Sequence, residues 1–234
     1  MDPLPIDIQK LVETQSSIIC VDTCIILDIF RDPTRQTVRA HEARAVLSLL
    51  EELSKKKSLA SLIAEQVIFE FNENFSAVKD EADRALIKFK EQSIRIGEIA
   101  AIYGPPNNLC FDHLTDHVTR TRSIANQWIA NSTFVKQPPE APTRALLRVN
   151  QAISPARKGK DSMKDCVVIE TYLDIIKTLR NAGLKSRVIF VSSNTKDYEG
   201  ENGSSLKLDL AKEFDPLNIE YAPNLAAAKH FISV

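Results

Sequence analysis

Four carboxylates, Asp22, Glu70, Asp165 and Asp197, stand at the ends of apolar segments in a chain of 234 residues. Asp22 closes the run Ile18-Ile19-Cys20-Val21, and Glu70 follows Leu62-Ile63 and Val67-Ile68. Asp165 opens Cys166-Val167-Val168-Ile169, and Asp197 lies just past Val188-Ile189-Phe190-Val191. Two carboxylates 4 Å apart repel by about 4 kcal/mol at an effective dielectric of 20. Four gathered together would offset much of the roughly 5–15 kcal/mol by which a domain is stable. Convergence therefore requires a cation. An all-oxygen ligand set selects magnesium or manganese over zinc. One or two such ions can activate a water and stabilise the leaving oxygen of a phosphodiester.

Each acid also has a plainer role. Asp22 suits an N-cap ahead of Thr23. Asp165 suits a first-turn charge on a helix, worth under about 1 kcal/mol when exposed. Asp161, four positions earlier on the same side, suits the N-cap itself and is the second-ranked addition to the site. Glu70 could be a solvated helix residue. Phe69 and Phe71 flank it, so one of three adjacent side chains must lean outward. Glu65 competes for its role, and Glu73 reads as surface. Asp197 sits in Ser192-Ser193-Asn194-Thr195-Lys196-Asp197-Tyr198, whose composition also suits an ordinary turn. Thr23, Ser193 and Asn194 could orient a water or the substrate.

The elements that must position these groups alternate. Residues 18–23 and 187–193 read as strands apolar on both faces, as in the interior of a parallel sheet. Ser58 to Ile63 is a shorter strand, and Asn218 to Tyr221 a last edge strand. Helices are expected over 39–54, 65–75, 77–102, 111–135, 143–151, 162–182, 206–213 and 224–232. Ala40, Ala43, Val46, Leu47, Leu50 and Leu53 form the buried stripe of the first of them. Tyr103-Gly104-Pro105-Pro106-Asn107-Asn108 and Gln137-Pro138-Pro139-Glu140-Ala141-Pro142 are breaks. Strands alternating with helices predict a three-layer α/β/α fold around a central parallel sheet of about 4–5 strands. The chain 1–234 then reads as a single domain with a helical insertion at 77–151. In such sheets ligands bind beyond the carboxyl ends of the strands, at a switch point. Asp22 and Asp197 can meet there although 175 positions apart.

The net charge of −1 excludes a generic polyanion binder. Arg144, Arg148, Arg157, Lys158, Lys160 and Lys164 nevertheless cluster ahead of Asp165. A cationic rim around an acidic pocket suits a substrate held by its phosphates, with Arg157, Lys158, Lys160 and Lys164 as the contacts. Lys55 to Lys57 read as solvated charge. No apolar stretch approaches the roughly 18 residues of a membrane span. Met1-Asp2-Pro3-Leu4-Pro5 lacks the basic start and apolar core of a signal peptide. Cys20, Cys24, Cys110 and Cys166 show no zinc spacing, and Cys20 and Cys166 read as reduced core thiols. A cytoplasmic location is expected. His113 and His117, four apart on a predicted helix, read as a solvated face ahead of a metal pair. With six glycines and no phosphate-cradling loop, nucleotide-hydrolase and dinucleotide readings are poor. Trp128 is expected in the core of the inserted helices.

Val21-Asp22-Thr23 after an apolar run, Glu70 after the second strand, Lys164-Asp165-Cys166-Val167-Val168-Ile169-Glu170 and Phe190-Val191-Ser192-Ser193-Asn194-Thr195-Lys196-Asp197-Tyr198 resemble the PIN domain. The last block carries most of the specificity, through a strand followed by Thr/Ser-Asn-x-x-Asp-Phe/Tyr. The similarity covers about 18–76 and 155–222. It implies that Asp22, Glu70, Asp165 and Asp197 bind magnesium or manganese and that the chain cuts RNA, less often structured DNA. Many small members are toxins of toxin–antitoxin pairs. Here about 90 residues separate Glu70 from Asp165, so the likeness is closer to the larger bacterial PIN-like proteins. The expected partner is nucleic acid, with RNA ahead of DNA and no membrane. A second copy of the chain and an antitoxin or other regulatory protein are further candidates. The alternatives are a nuclease for flapped or single-stranded DNA and a non-catalytic binding or interaction module.

Overall fold

The computed structural model describes residues 4–106, 109–200 and 205–232; Met1-Asp2-Pro3, Asn107 and Asn108 of the stretches read above lie outside them. In chain order the elements are β1 (Leu4–Pro5), α1 (Ile8–Thr14), β2 (Ser17–Val21), α2 (Thr23–Asp28), α3 (Ala40–Lys55), β3 (Leu59–Ala64) and α4 (Glu65–Tyr103). A 3-10 turn (Asp112–Leu114) precedes α5 (His117–Asn131), β4 (Thr133–Val135), α6 (Ala141–Asn150) and α7 (Met163–Asn181). Then come β5 (Val188–Val191), α8 (Thr195–Tyr198), α9 (Leu208–Phe214), a second 3-10 turn (Asp215–Leu217), β6 (Ile219–Ala222) and α10 (Leu225–Ile232).

All pairings in the sheet are parallel, in the order β1-β4-β3-β2-β5-β6. The chain moves from β2 outward through β3 and β4, then returns to the far side of β2 for β5 and β6. The switch point therefore lies between β2 and β5. β2 and β5 are apolar on both faces because helices cover both. α3, α5 and α10 pack together on one side, and α1, α6 and α7 on the other. This is the predicted three-layer α/β/α arrangement. No helix among the described residues is long and apolar enough to cross a membrane.

Several local expectations are corrected. The strand read at 18–23 ends at Val21, because Asp22 turns the chain into α2. The two helices read at 65–75 and 77–102 are one helix of 39 residues, about 58 Å long at 1.5 Å per residue. Its far half exposes Ile96, Ile99 and Ile102. The helix read at 111–135 is a 3-10 turn, α5 and then β4. Residues 77–151 are therefore not purely helical, since β4 is an internal strand of the sheet, between β1 and β3. Two- and three-residue strands carry too little periodicity to be read. Trp128 on α5 packs into the main core; its indole donates to Ser61 Oγ on β3 at 3.2 Å. His113 lies in the turn and His117 begins the helix, so the two do not share a helix face.

Tyr172 ties the strand ends together beneath the switch point. Its hydroxyl donates to Val21 O at 2.7 Å and accepts from Ala64 N at 3.1 Å. Burial pushes its ionisation far up, so it stays a phenol. Tyr172→Phe would leave two buried backbone groups short of partners, at about 1–3 kcal/mol. Urea denaturation checks this, and an unchanged midpoint would mean that the hydroxyl is dispensable.

Candidate active site

Asp22 follows β2 as the N-cap of α2. Its Oδ1 accepts from Thr23 N at 2.7 Å; its Oδ2 accepts from Ser192 Oγ at 2.6 Å and from Cys24 Sγ at 3.4 Å. The capping role and the site role thus coexist. The carboxylate is almost fully buried. Burial pushes its pKa up to about 6, against the Ser192 bond and with a further upward push from Asp165.

Glu70 lies one turn into α4, half-buried, and accepts from Gln66 Nε2 at 3.0 Å. Phe71 points into the core and Phe69 is the side chain that leans outward. Burial raises the Glu70 pKa, Asp165 adds to that, and Gln66 and Lys164 oppose it. The competing Glu65 is otherwise engaged, since its Oε2 accepts from Gln137 N at 3.0 Å. Glu73 is at the surface, paired with Lys164 at 2.6 Å.

Asp165 is in the first turn of α7 and Asp197 is in α8, fully buried. Lys160 Nζ bonds Asp165 Oδ2 at 3.1 Å and also Asp197 Oδ2. Arg157 pairs with the other oxygen of Asp197, and Asn194 Nδ2 donates to Oδ2. Burial raises the Asp165 pKa; Lys160 lowers it, and Asp197 and Asp161 raise it again. Partial burial works against the Lys160 ammonium, but the two carboxylates outweigh it and hold its pKa above the ordinary value. Asp165 thus feels each of the other acids. Asp161 is exposed beside this group, and Ser162 takes the N-cap position that the sequence assigned to Asp161.

The predicted phosphate contacts need revision. Arg157 and Lys160 are turned onto the acids, and Lys164 is on Glu73. Of the four, only Lys158 is exposed and in no ion pair among the described residues. Arg144 and Arg148 lie between α6 and α7 on Glu170, away from any rim. Of the predicted orienting groups, Thr23 is buried with an unpartnered hydroxyl, and Asn194 touches Asp197. Ser193 bonds Asp28, and its neighbour Ser192 is the one on Asp22. Sequence reasoning missed Ser192 and Cys24 as contacts of Asp22. Alternation along the end of a strand was the available signal for Ser192 over Ser193.

The donor set suits a hard cation: it is all carboxylate and hydroxyl apart from Cys24, and it contains a buried acid that costs free energy to ionise and a free buried hydroxyl. Among the described residues no three His, Cys, Asp or Glu side chains stand close enough to share one ion. The Lys160 ammonium occupies the space between two of the acids. A cation would displace one already there.

The acids stand beyond the carboxyl ends of a parallel α/β sheet, at its switch point, where ligands bind in such folds. A protein-family model described as PIN domain matches residues 19–198, and the chain belongs to that family. The match contains all four acids and runs through residues 77–151. PIN domains are usually nucleases acting on nucleic acid, and the family typically uses divalent metal ions. No curated protein and no solved structure matches the chain.

Proposed function

We propose that this chain is an endoribonuclease that hydrolyses RNA phosphodiester bonds with one or two magnesium or manganese ions held by Asp22, Glu70, Asp165 and Asp197, with Asp161 at the edge. The observation that carries the reading is the electrostatic coupling of Asp22, Glu70 and Asp197 to Asp165, at the switch point of the sheet. A bound divalent ion would supply Lewis acidity and make a bound water easier to deprotonate. Glu70, half-buried and with a raised pKa, is the group to orient the attacking water and take its proton. Ser192, Thr23 and Asn194 hold the acids in register. Arg157 and Lys160 exchange one anion for another: once the acids are neutralised, both turn to the scissile phosphate, with Lys158 beside them. The ranking of RNA ahead of DNA follows the family resemblance. In this reading residues 1–234 act as one cytoplasmic domain, with 77–151 an elaboration of it.

Labelled single-stranded RNA and DNA, incubated in parallel with magnesium, manganese or chelator, test the reading. RNA cleavage should need the ion. Charge stabilisation by a metal is worth several kcal/mol, so Asp22→Asn with Asp165→Asn should lose roughly 10²-fold or more in rate, at 1.36 kcal/mol per decade. Cleavage that survives chelator, or full activity in the double variant, would overturn the assignment.

A further inference from the structure

A cavity of about 770 Å³ opens at the carboxyl ends of β2, β5 and β6, on the side that carries α3, α5 and α10. Its size is that of a small-ligand site. The floor is aliphatic: Ile25, Ile29, Val46, Leu47, Ile124 and Leu225. Leu47 was predicted for the core of α3 and is instead about half exposed, facing this space. Four arginines, Arg31, Arg35, Arg39 and Arg120, meet only two acids, Asp28 and Glu42, along the walls. Arg31 pairs with Asp28 at 3.1 Å. Arg120 donates to the carbonyls of His113 and Thr115, which leaves its charge unmatched. Arg35 and Arg39 are in no ion pair among the described residues. The cavity therefore combines an apolar floor with excess positive charge.

It also adjoins the acids. Ser192 Oγ donates to Asp22 at 2.6 Å, and the next residue, Ser193, donates to Asp28 at 2.5 Å. Ser193 and Thr195 line the cavity. The six residues of α2 have Asp22 at their start and Ile25 and Asp28 on the cavity, so one short helix and one loop separate the two spaces. Six residues of helix span about 9 Å.

We propose that this cavity seats one nucleotide of the substrate strand, its base among the aliphatic side chains and its phosphate against Arg35 and Arg39. The link to the substrate strand rests on the nuclease reading; the nucleotide site does not. Unstacked bases of single-stranded RNA pack on flat arginine planes as well as on aromatic rings. No Phe, Tyr or Trp lines this cavity, so the base rests on the aliphatic side chains, and of the four guanidinium groups Arg31 and Arg120 are the ones left to stack on it. Such a subsite makes the cut depend on the identity of a neighbouring base.

The test is binding of AMP, GMP, CMP and UMP to the full chain in chelator, by calorimetry, with RNA cleavage sites mapped in parallel. Ala43→Trp fills the cavity from an exposed position on α3. Arg35→Ala with Arg39→Ala removes the phosphate contacts. Each variant should weaken mononucleotide binding by at least about tenfold and flatten base preference beside the cut. Equal mononucleotide affinity in wild type and Ala43→Trp, or no binding at all, would overturn the pocket even if RNA is cut. Binding that depends on the cavity in a chain that cuts nothing would support the pocket and sink the nuclease reading alone.

Discussion

Asp22→Asn is expected to stabilise the metal-free protein at neutral pH while it removes RNA cleavage. The folded-state pKa of Asp22 is raised to about 6 from 3.8 by burial. The native state therefore binds this proton more tightly than the unfolded chain does. Stability is at its fullest below the unfolded pKa, falls as pH rises toward about 6, and is flat above that. The full difference is about 3 kcal/mol, at 1.36 kcal/mol per pKa unit. Asparagine keeps the acceptor for Thr23 N and carries no charge, so above pH 6 the variant should recover about 1–3 kcal/mol of this. The gain should vanish near pH 4. Urea denaturation in chelator at pH 4 and pH 8 measures both ends. Equal destabilisation at both pH values would show that the carboxylate is an ordinary cap. Manganese should reverse the ranking, since an ion at about 100 times its dissociation constant adds about 2.7 kcal/mol to a protein that binds it.

The acids were legible because burial makes them conspicuous. An Asp directly after Ile18-Ile19-Cys20-Val21 or near Val188-Ile189-Phe190-Val191 can only be at the end of an interior strand, and parallel strands put those ends together. The cations were not legible. Arg157 and Lys160 look in sequence like any loop charge. Their placement on Asp197 and Asp165 depends on the course of the loop 152–162 between α6 and α7, which no periodicity encodes. β4 failed for a different reason. A three-residue strand has no measurable alternation, so a segment that completes the sheet read as the end of a helix. The exposed part of the α3 stripe failed because sequence pattern marks apolar positions without saying whether protein or a cavity faces them.

Arg148→Met is expected to cost the most stability, toward about 3 kcal/mol, by leaving Glu170 with Arg144 alone and Glu213 with no partner among the described residues. Arg148 is 4% exposed between α6 and α7. It donates to Glu170 at 2.7 and 3.0 Å, to Glu213 at 2.8 and 2.9 Å and to Ser154 O at 2.6 Å. Burial works against its charge, but Glu213 and Glu170 hold its pKa up. Arg148→Lys should recover little, because an ammonium cannot reproduce the two forks. Neutralising both acids as well, through Glu170→Gln and Glu213→Gln, should recover much of the loss, since a buried ion pair is replaced more cheaply than it is broken. The triple variant also separates electrostatics from packing. The consequence reaches the acidic centre through Ser154, whose N–H is fixed by Asp209 Oδ2 at 2.7 Å and whose carbonyl is fixed by Arg148. That residue begins the segment that delivers Arg157 to Asp197 and Lys160 to Asp165 and Asp197. In Arg148→Met the cleavage rate should therefore fall at temperatures where circular dichroism still reports a folded chain. A denaturation midpoint shifted by less than about 1 kcal/mol would mean that water has access to Glu170 and Glu213 and that the network is only a surface feature.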